Sequence, residues 1–384
     1  MHVLFLPKWY PGRADPQLGD FLRKQALAAA TMVRMSVLHV EPMTEPGAGD
    51  MLTLNTADGA WELHLRYKAS SIRFMPARKL VNLFRYWRTM RNGWDQTVKE
   101  RGLPDLIHAY ILVRPVLFAW WMGARKRIPY LISEQSSEYL DGTWTSKSAL
   151  FHGLNRFLFK RAKAVTAVSA WLGDRLVELG LCRSYTVVPN VIPGLDRPLP
   201  APGPAGHFLV VADLVDRTKN VSGVLRALAE AAKQDTRLRL SVIGDGADRA
   251  MLEAKVTELA LQDRVTFLGR LPNAEVLDHV ARAFAMVVNS NVETFSVVTG
   301  EALAQGKPVI ATRCGGPVAF ITPENGILIE PRNDKALCEA MLKLMASSVE
   351  YDPQRIRTSV SERFDPNAVG NAFLHVYQRI LANG

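Results

Sequence analysis

The sequence predicts an α/β protein made of two doubly wound, Rossmann-like domains, each a parallel sheet with helices on both faces. Two observations carry this. Strand-like and helix-like patterns alternate in both halves of the chain, as they do where helical crossovers link parallel strands. Between the halves, residues 197–206 (RPLPAPGPAG) hold four prolines and two glycines, a density that continues neither helix nor sheet and reads as a linker. A chain of 384 residues is also too long for one core. The expected division is 1–196, a linker at 197–206, and 207–365, with a terminal helix over 366–384.

In the first half, strands are predicted at 2–6, 35–40, 105–109, 130–133, 164–167 and 186–188, with helices such as 20–30 and 171–179, the latter stopped by Gly180. Ligands of doubly wound sheets sit beyond the carboxyl ends of the strands. Three loops fall there: PKWYPGRADPQLGDF (7–21), ISEQSSEYL (132–140) and VVPNVIPGLD (187–196). In the first of them, Gly19 lets the backbone approach a ligand closely.

In the second half, a strand at 207–212 leads through the loop DLVDRTKN (213–220) to a helix whose apolar stripe is Val221, Val224, Leu225 and Leu228. A strand at 238–243 follows, ending at Gly244-Asp245-Gly246, and then comes VTFLGRLPNAEV (265–276). At the end of the chain, Asp365-Pro366 supplies a cap and first-turn pair for a helix with Val369, Phe373, Val376, Tyr377 and Ile380 on one face.

The richest stretch runs from 287 to 316, VVNSNVETFSVVTGEALAQGKPVIATRCGG. A short apolar strand breaks at Asn289–Asn291, a helix starts near Val298 and ends at Gly306, and Lys307-Pro308 turns the chain into a strand at 309–312. Glu293 lies in the loop and Glu301 about one turn into the helix, so both can face one ligand. The amides of Ser296, Val297 and Val298 open the helix, where unpaired N–H groups and the positive end of the dipole hold an anion such as a phosphate.

This stretch resembles the E-x7-E signature of the retaining glycosyltransferases of family 4, in the form E-x-F-G-x-x-x-x-E-A-x-A-x-G-x-P-V-I-A-T followed by a Gly pair. The resemblance implies the GT-B fold, two such domains facing a central cleft, with an acceptor-binding N-terminal domain that the terminal helix crosses back to join. It also implies that the C-terminal domain binds a nucleotide-diphosphate sugar. Glu301 would hold ribose hydroxyls and Glu293 a hydroxyl of the donor sugar, with Thr294, Phe295, Ser296, Val297 and Val298 around the diphosphate. Lys219 matches the family lysine that neutralises the diphosphate. The accompanying arginine position is Asp213 here, so Arg217 is expected to supply the second positive charge. Gly244 would pass beside the nucleotide, and the backbone of Arg270 and Leu271 would meet the base. Gly19 would lie beside the donor phosphates and the acceptor, with Gln135 and Asn190 near the transferred sugar. Gln135 stands where the family often has histidine, and Pro193 where it has aspartate.

The implied reaction keeps the anomeric configuration, with the leaving phosphate helping to remove the acceptor's proton. No metal and no cofactor are expected, and no D-x-D stands at a strand end. Two other classes share the architecture: a sugar-nucleotide 2-epimerase, and a catalytically inactive, membrane-associated relative. The absence of histidine from the motif loops argues against the first; Asp213, Gln135 and Ser296 motivate the second.

Composition bounds the rest. Hydrophobic residues are 48% and charged residues 22%, ordinary for a globular enzyme. The start, MHVLFLPKWYPG, is too soon broken to be a secretory signal, and Cys182, Cys314 and Cys338 lack metal-ligand spacing. A cytoplasmic protein, peripheral on the inner face of the membrane, is the expectation. The net charge of +10 gathers where no acid stands between Glu62 and Asp95, and Leu80, Leu83, Phe84, Trp87 and Trp94 follow helical spacing there. Residues 73–94 thus form a basic amphipathic helix that either meets an anionic membrane surface or packs in the core. No nucleic-acid module is recognisable. The expected partners are a nucleotide sugar and a glycan or lipid-linked acceptor.

Overall fold

Short apolar runs make the strands of two sheets in the computed structural model, which describes residues 1–13, 15–43, 51–347 and 351–382. In the first half the elements are β1 (His2–Pro7), α1 (Asp20–Ala30), β2 (Arg34–Met43), β3 (Met51–Asn55), β4 (Trp61–Lys68), α2 (Met75–Arg101), β5 (Leu106–Tyr110), α3 (Arg114–Lys126), β6 (Tyr130–Glu134), α4 (Ala149–Arg161), β7 (Ala164–Ala167), α5 (Ala170–Glu178) and β8 (Thr186–Val187). The second half has β9 (His207–Val211), α6 (Asp216–Lys219), α7 (Val221–Ala232), β10 (Arg239–Ile243), α8 (Arg249–Glu258), β11 (Val265–Gly269), α9 (Asn273–Arg282) and β12 (Ala285–Val288). It continues with α10 (Val297–Ala304), β13 (Val309–Thr312), β14 (Gly326–Ile329), α11 (Asp334–Ala346), α12 (Pro353–Phe364) and α13 (Pro366–Ala382). The last two residues of the predicted terminal helix, 383 and 384, lie outside the described residues.

The chain forms two units, one of Met1–Ser136, Thr145–Val191 and the segment from Pro366, the other of Ser137–Trp144 and Ile192–Asp365. In the first, the strand order is β3-β4-β2-β1-β5-β6-β7-β8. All pairings are parallel except β3 with β4. That antiparallel edge departs from the purely parallel expectation. Its cause is in the sequence: Asp58-Gly59 sits between two alternating runs, and Gly59 has the positive φ of 90° that such a turn uses. The core of this unit gathers Val3, Phe5, Leu22, Ala26, Val37 and Leu106 with Val369, Phe373 and Tyr377 of α13. Helix α13 lies on α1 so closely that a Cβ at Gly370 would stand 2.4 Å from the Ala28 carbonyl oxygen.

The second sheet is parallel throughout, in the order β11-β10-β9-β12-β13-β14. The α7 stripe read from the sequence, Val221, Val224, Leu225 and Leu228, is buried against Phe208, Val242 and Leu252. The Pro/Gly-rich segment at 197–206 packs within this unit. Arg357 donates to the Arg197 carbonyl at 2.8 Å, and the Lys307 ammonium donates to the Ala201 carbonyl at 3.2 Å.

At the end of β10, Gly244 has φ 132°, and a Cβ there would come within 1.8 Å of the Ala212 carbonyl oxygen. The adjoining Asp245 carbonyl accepts from the Leu214 amide at 2.9 Å. The loops after β9 and β10 are therefore packed backbone on backbone. Gly244→Ala is expected to destabilise the second unit by roughly 2–3 kcal/mol through strain and overpacking. Urea unfolding followed by circular dichroism measures this, and an unchanged midpoint would contradict the packing argument.

Candidate active site

The connections of the second sheet fix where a ligand can sit. From β9 the chain winds outward through β10 to β11, and from β12 it winds the other way through β13 to β14, with β9 and β12 adjacent. The order reverses between these two strands, so the loops at their carboxyl ends splay apart and leave a crevice there. Lys219 comes from the segment after β9, and Glu293 from the loop after β12.

The two side chains meet. The Lys219 ammonium donates to Glu293 Oε1 at 2.6 Å, and the Ser290 hydroxyl donates to the same oxygen at 2.7 Å. Both partners are locally fixed. Lys219 ends the single turn α6, which Asn220 terminates in the left-handed region at φ 47°, and Asp216 ties that turn to Ser222 of α7 through both carboxylate oxygens. The Glu293 amide donates to the Cys314 carbonyl at 3.0 Å, and its carbonyl accepts from the Gly316 amide at 2.9 Å. Burial opposes the charge on Lys219, but attraction and hydrogen bonding from Glu293, with Asp213 beyond, outweigh it and hold the ammonium above its ordinary range. Asp213 is exposed and helps to keep Lys219 charged. Arg217 is exposed on α6, and its carbonyl accepts from the Asn291 side chain at 2.8 Å.

Helix α10 opens at Ser296, which is left-handed at φ 74° and carries no side-chain cap for the helix; its hydroxyl pairs with Thr299 at 2.8 Å. The first-turn amides of Val297 and Val298 have no acceptor within the helix. Ser296 thus occupies a conformation that glycine adopts freely, which explains why the resembling pattern has glycine there. Thr294 is half-buried beside it, whereas the Phe295 ring points into the core against Phe320 and Phe364. Any donor contact from Phe295 must come from its backbone.

Glu301 is 3% exposed, and its Oε1 accepts from the Asn273 amide at 2.7 Å. Asn273 opens α9 after Arg270, Leu271 and the capping Pro272, so the structure brings that loop and Glu301 together. Sequence reading did not find Asn273 or Ser290. Ser290 lay within the motif stretch, three positions before Glu293, but Asn273 gave no local signal.

Gly19, Gln135 and Asn190 lie in the first unit. Gly19 caps α1 at φ 69°, and a Cβ would stand 2.6 Å from the Trp9 backbone, so this glycine is required for loop packing. The Gln135 side chain donates to Gln25 at 2.9 Å, which donates to the Pro189 carbonyl at 2.7 Å beside Asn190. The Asn190 Oδ1 is buried without a hydrogen-bond partner. Below the loop, buried Glu62 accepts from Tyr10 at 2.6 Å, Asn55 at 2.7 Å and Arg23 at 2.9 Å. Burial pushes the Cys314 thiol up to about 12 and the Cys182 thiol to about 11, so neither is a ready nucleophile. Among the described residues no group of three or more His, Cys, Asp or Glu side chains is placed to hold a metal ion.

Two parallel-sheet domains with a charged pair and a helix tip at the switch point define a GT-B glycosyltransferase, and comparison with known proteins agrees. Residues 14–191 match the family described as glycosyl transferase 4-like domain, and residues 196–361 match glycosyl transferases group 1; the chain belongs to the glycosyltransferases of this GT4-like kind. It is 30% identical over 241 residues to the lipopolysaccharide core biosynthesis glycosyltransferase LpsD of Rhizobium meliloti, covering 58% of this chain and 66% of that one. It is 28% identical over 204 residues to the lipopolysaccharide 1,6-galactosyltransferase of Escherichia coli, covering 51% and 56%. The alignments thus span about two thirds and about half of those relatives' lengths. Among solved structures, the fold is shared with a sucrose-phosphate synthase of Thermosynechococcus elongatus, at TM-score 0.75 and 20% identity over all of both chains. It is also shared with HepE of Anabaena in complex with UDP, at TM-score 0.71 and 18% identity over 99% of this chain and 100% of that one.

Proposed function

We propose that the protein moves a sugar from a nucleoside diphosphate sugar to a glycan or lipid-linked acceptor in the synthesis of cell-surface polysaccharide, with retention at the anomeric carbon. The Lys219–Glu293 pair at the switch point is the observation that carries this. Lys219, the open amides of α10 and exposed Arg217 supply positive charge for the leaving diphosphate, which matters most as that charge develops. Glu293 Oε2 accepts neither from Lys219 nor from Ser290, and it is assigned to a hydroxyl of the donor sugar. Glu301, oriented by the Asn273 amide that donates to its Oε1, is assigned to the ribose hydroxyls. The bond from the anomeric carbon to the phosphate oxygen breaks, and the bond to the acceptor oxygen forms on the same face. The acceptor's proton passes to the leaving phosphate. In this scheme no metal ion is assigned a step. Acceptor recognition is assigned to the first unit around Gly19, Gln135 and Asn190, and relatives named for lipopolysaccharide synthesis support the acceptor class.

A thermal-shift screen of nucleoside diphosphates tests the reading. The matching one at 100 times its Kd adds about 2.7 kcal/mol of stability. The nucleotide sugars of that base, incubated with the enzyme, should slowly release nucleoside diphosphate, and proton NMR of a transferred product should show the donor's anomeric configuration. Interconversion of the sugars would instead make the protein an epimerase, and no shift with any nucleotide would overturn the donor site.

A further inference from the structure

Helix α2 is longer than the sheet it covers. Its 27 residues extend about 40 Å, whereas β2 and β4, the strands it packs on, have ten and eight residues and span about 33 Å and about 26 Å. The C-terminal part of α2 is buried through Tyr86, Met90, Gly93, Trp94 and Thr97. Its N-terminal turns have no sheet beneath them, and Phe74 is 70%, Leu80 68% and Phe84 68% exposed. The spacing that suggested a core stripe therefore splits: Trp94 goes inside, and Leu80, Leu83 and Phe84 go to the surface.

The neighbouring helices continue this surface. Trp87 of α2 packs edge-on against Trp121 of α3 at 5.7 Å, and Trp120 of α3 packs against Phe157 of α4 at 5.1 Å. Leu150 in the first turn of α4 is 84% exposed, and Phe157 lies two turns further along. Basic groups rim the apolar ones. Arg78, Lys79 and Arg91 of α2, Arg125 and Lys126 of α3, and Arg156, Lys160 and Arg161 of α4 are all exposed, and neither α3 nor α4 contains an acidic residue. Arg125 sits over the Trp121 ring at 5.4 Å and Arg161 over Phe157 at 5.2 Å. The exposed turns of α2 and α4 begin at the carboxyl edge of the first sheet, the edge that also carries the Gly19 loop.

We infer that α2, α3 and α4 form one docking platform for an anionic lipid bilayer, with Phe74, Leu80, Phe84 and Leu150 entering the headgroup region and the basic rim lying against lipid phosphates. A second copy of this chain is the poorer occupant, because pairing through this face sets basic rim against basic rim. The platform brings the carboxyl edge of the first unit to the lipid surface. It stands independently of the transfer reaction, since none of its residues belongs to the donor site.

Co-sedimentation of the full chain with vesicles of phosphatidylcholine, alone or mixed with phosphatidylglycerol, tests it. Binding is expected only to the anionic vesicles and is expected to weaken as salt screens the rim. Phe74→Ser/Leu80→Ser/Phe84→Ser should lower the partition coefficient about tenfold or more, and Arg78→Glu/Lys79→Glu should do the same at low salt. All five positions are exposed, so circular dichroism, melting temperature and nucleotide-sugar hydrolysis should match the parent chain. Equal binding by parent and triple variant would overturn the platform, as would equal binding to neutral and anionic vesicles. A lipid-free dimer that the triple variant dissolves would also overturn it, assigning the face to protein.

Discussion

Lys219→Ala is expected to slow glycosyl transfer about 10²–10³-fold, the usual cost of removing one preorganised group from developing transition-state charge. Two effects add. The leaving diphosphate loses a cation, and Glu293, whose Oε1 lies 2.6 Å from the ammonium, is left as an uncompensated carboxylate facing an arriving anion. Lys219→Ala/Glu293→Gln should therefore lose less than the sum of the single variants, because the glutamine removes the repulsion that the first change exposes. The pH profile carries a second check. The ammonium is held above its ordinary range, so the contribution of the ion pair to stability is fully present at neutral pH and is lost only as pH rises past about 10, through the raised value in the folded state. Lys219 therefore sets no alkaline limb of the rate between pH 7 and 9. Single-turnover rates across that range would show it, and a Lys219→Ala variant with the parent rate would remove the residue from the mechanism.

Most of this site was legible because the motif is local. Glu293, Ser296 and Glu301 fall within one loop and one helix, so strand, turn and helix periods place them without knowledge of the fold. Lys219 was legible only by its register with a known family, and its encounter with Glu293 depends on β9 and β12 being neighbours, which spacing does not reveal. Asn273 was invisible for the same reason: its contact with Glu301 spans 28 positions and needs α9 against α10. The β3–β4 edge has a local signal in Asp58-Gly59, with Gly59 at φ 90°. The glycines show a different limit. Gly19 and Gly244 were expected to make room for a ligand, yet the neighbours that exclude a Cβ at each are protein backbone. A glycine's need for space is written in the sequence, whereas the identity of what fills that space is not.

Glu301→Ala is expected to weaken binding of the matching nucleoside diphosphate by up to about 3 kcal/mol, the upper range for hydrogen bonds to a charged group. The size follows from burial. A carboxylate that is 3% exposed has left most of its water already, so ribose hydroxyls placed there would meet an acceptor that needs little further desolvation and has little freedom to turn away. Asn273 supplies the orientation: by donating to Oε1 at 2.7 Å it fixes the plane of the carboxylate. Asn273→Ala should thus cost less than Glu301→Ala, roughly 1 kcal/mol, and should cost almost nothing once Glu301 is gone. Isothermal titration of both single variants and the double variant gives the coupling directly. Glu301→Gln separates charge from shape, since the amide keeps the volume and one acceptor oxygen but offers the ribose a donor as well. If Glu301→Ala binds nucleotide like the parent chain, Glu301 is only a buried partner for Asn273, and the ribose site must be sought elsewhere on the second unit.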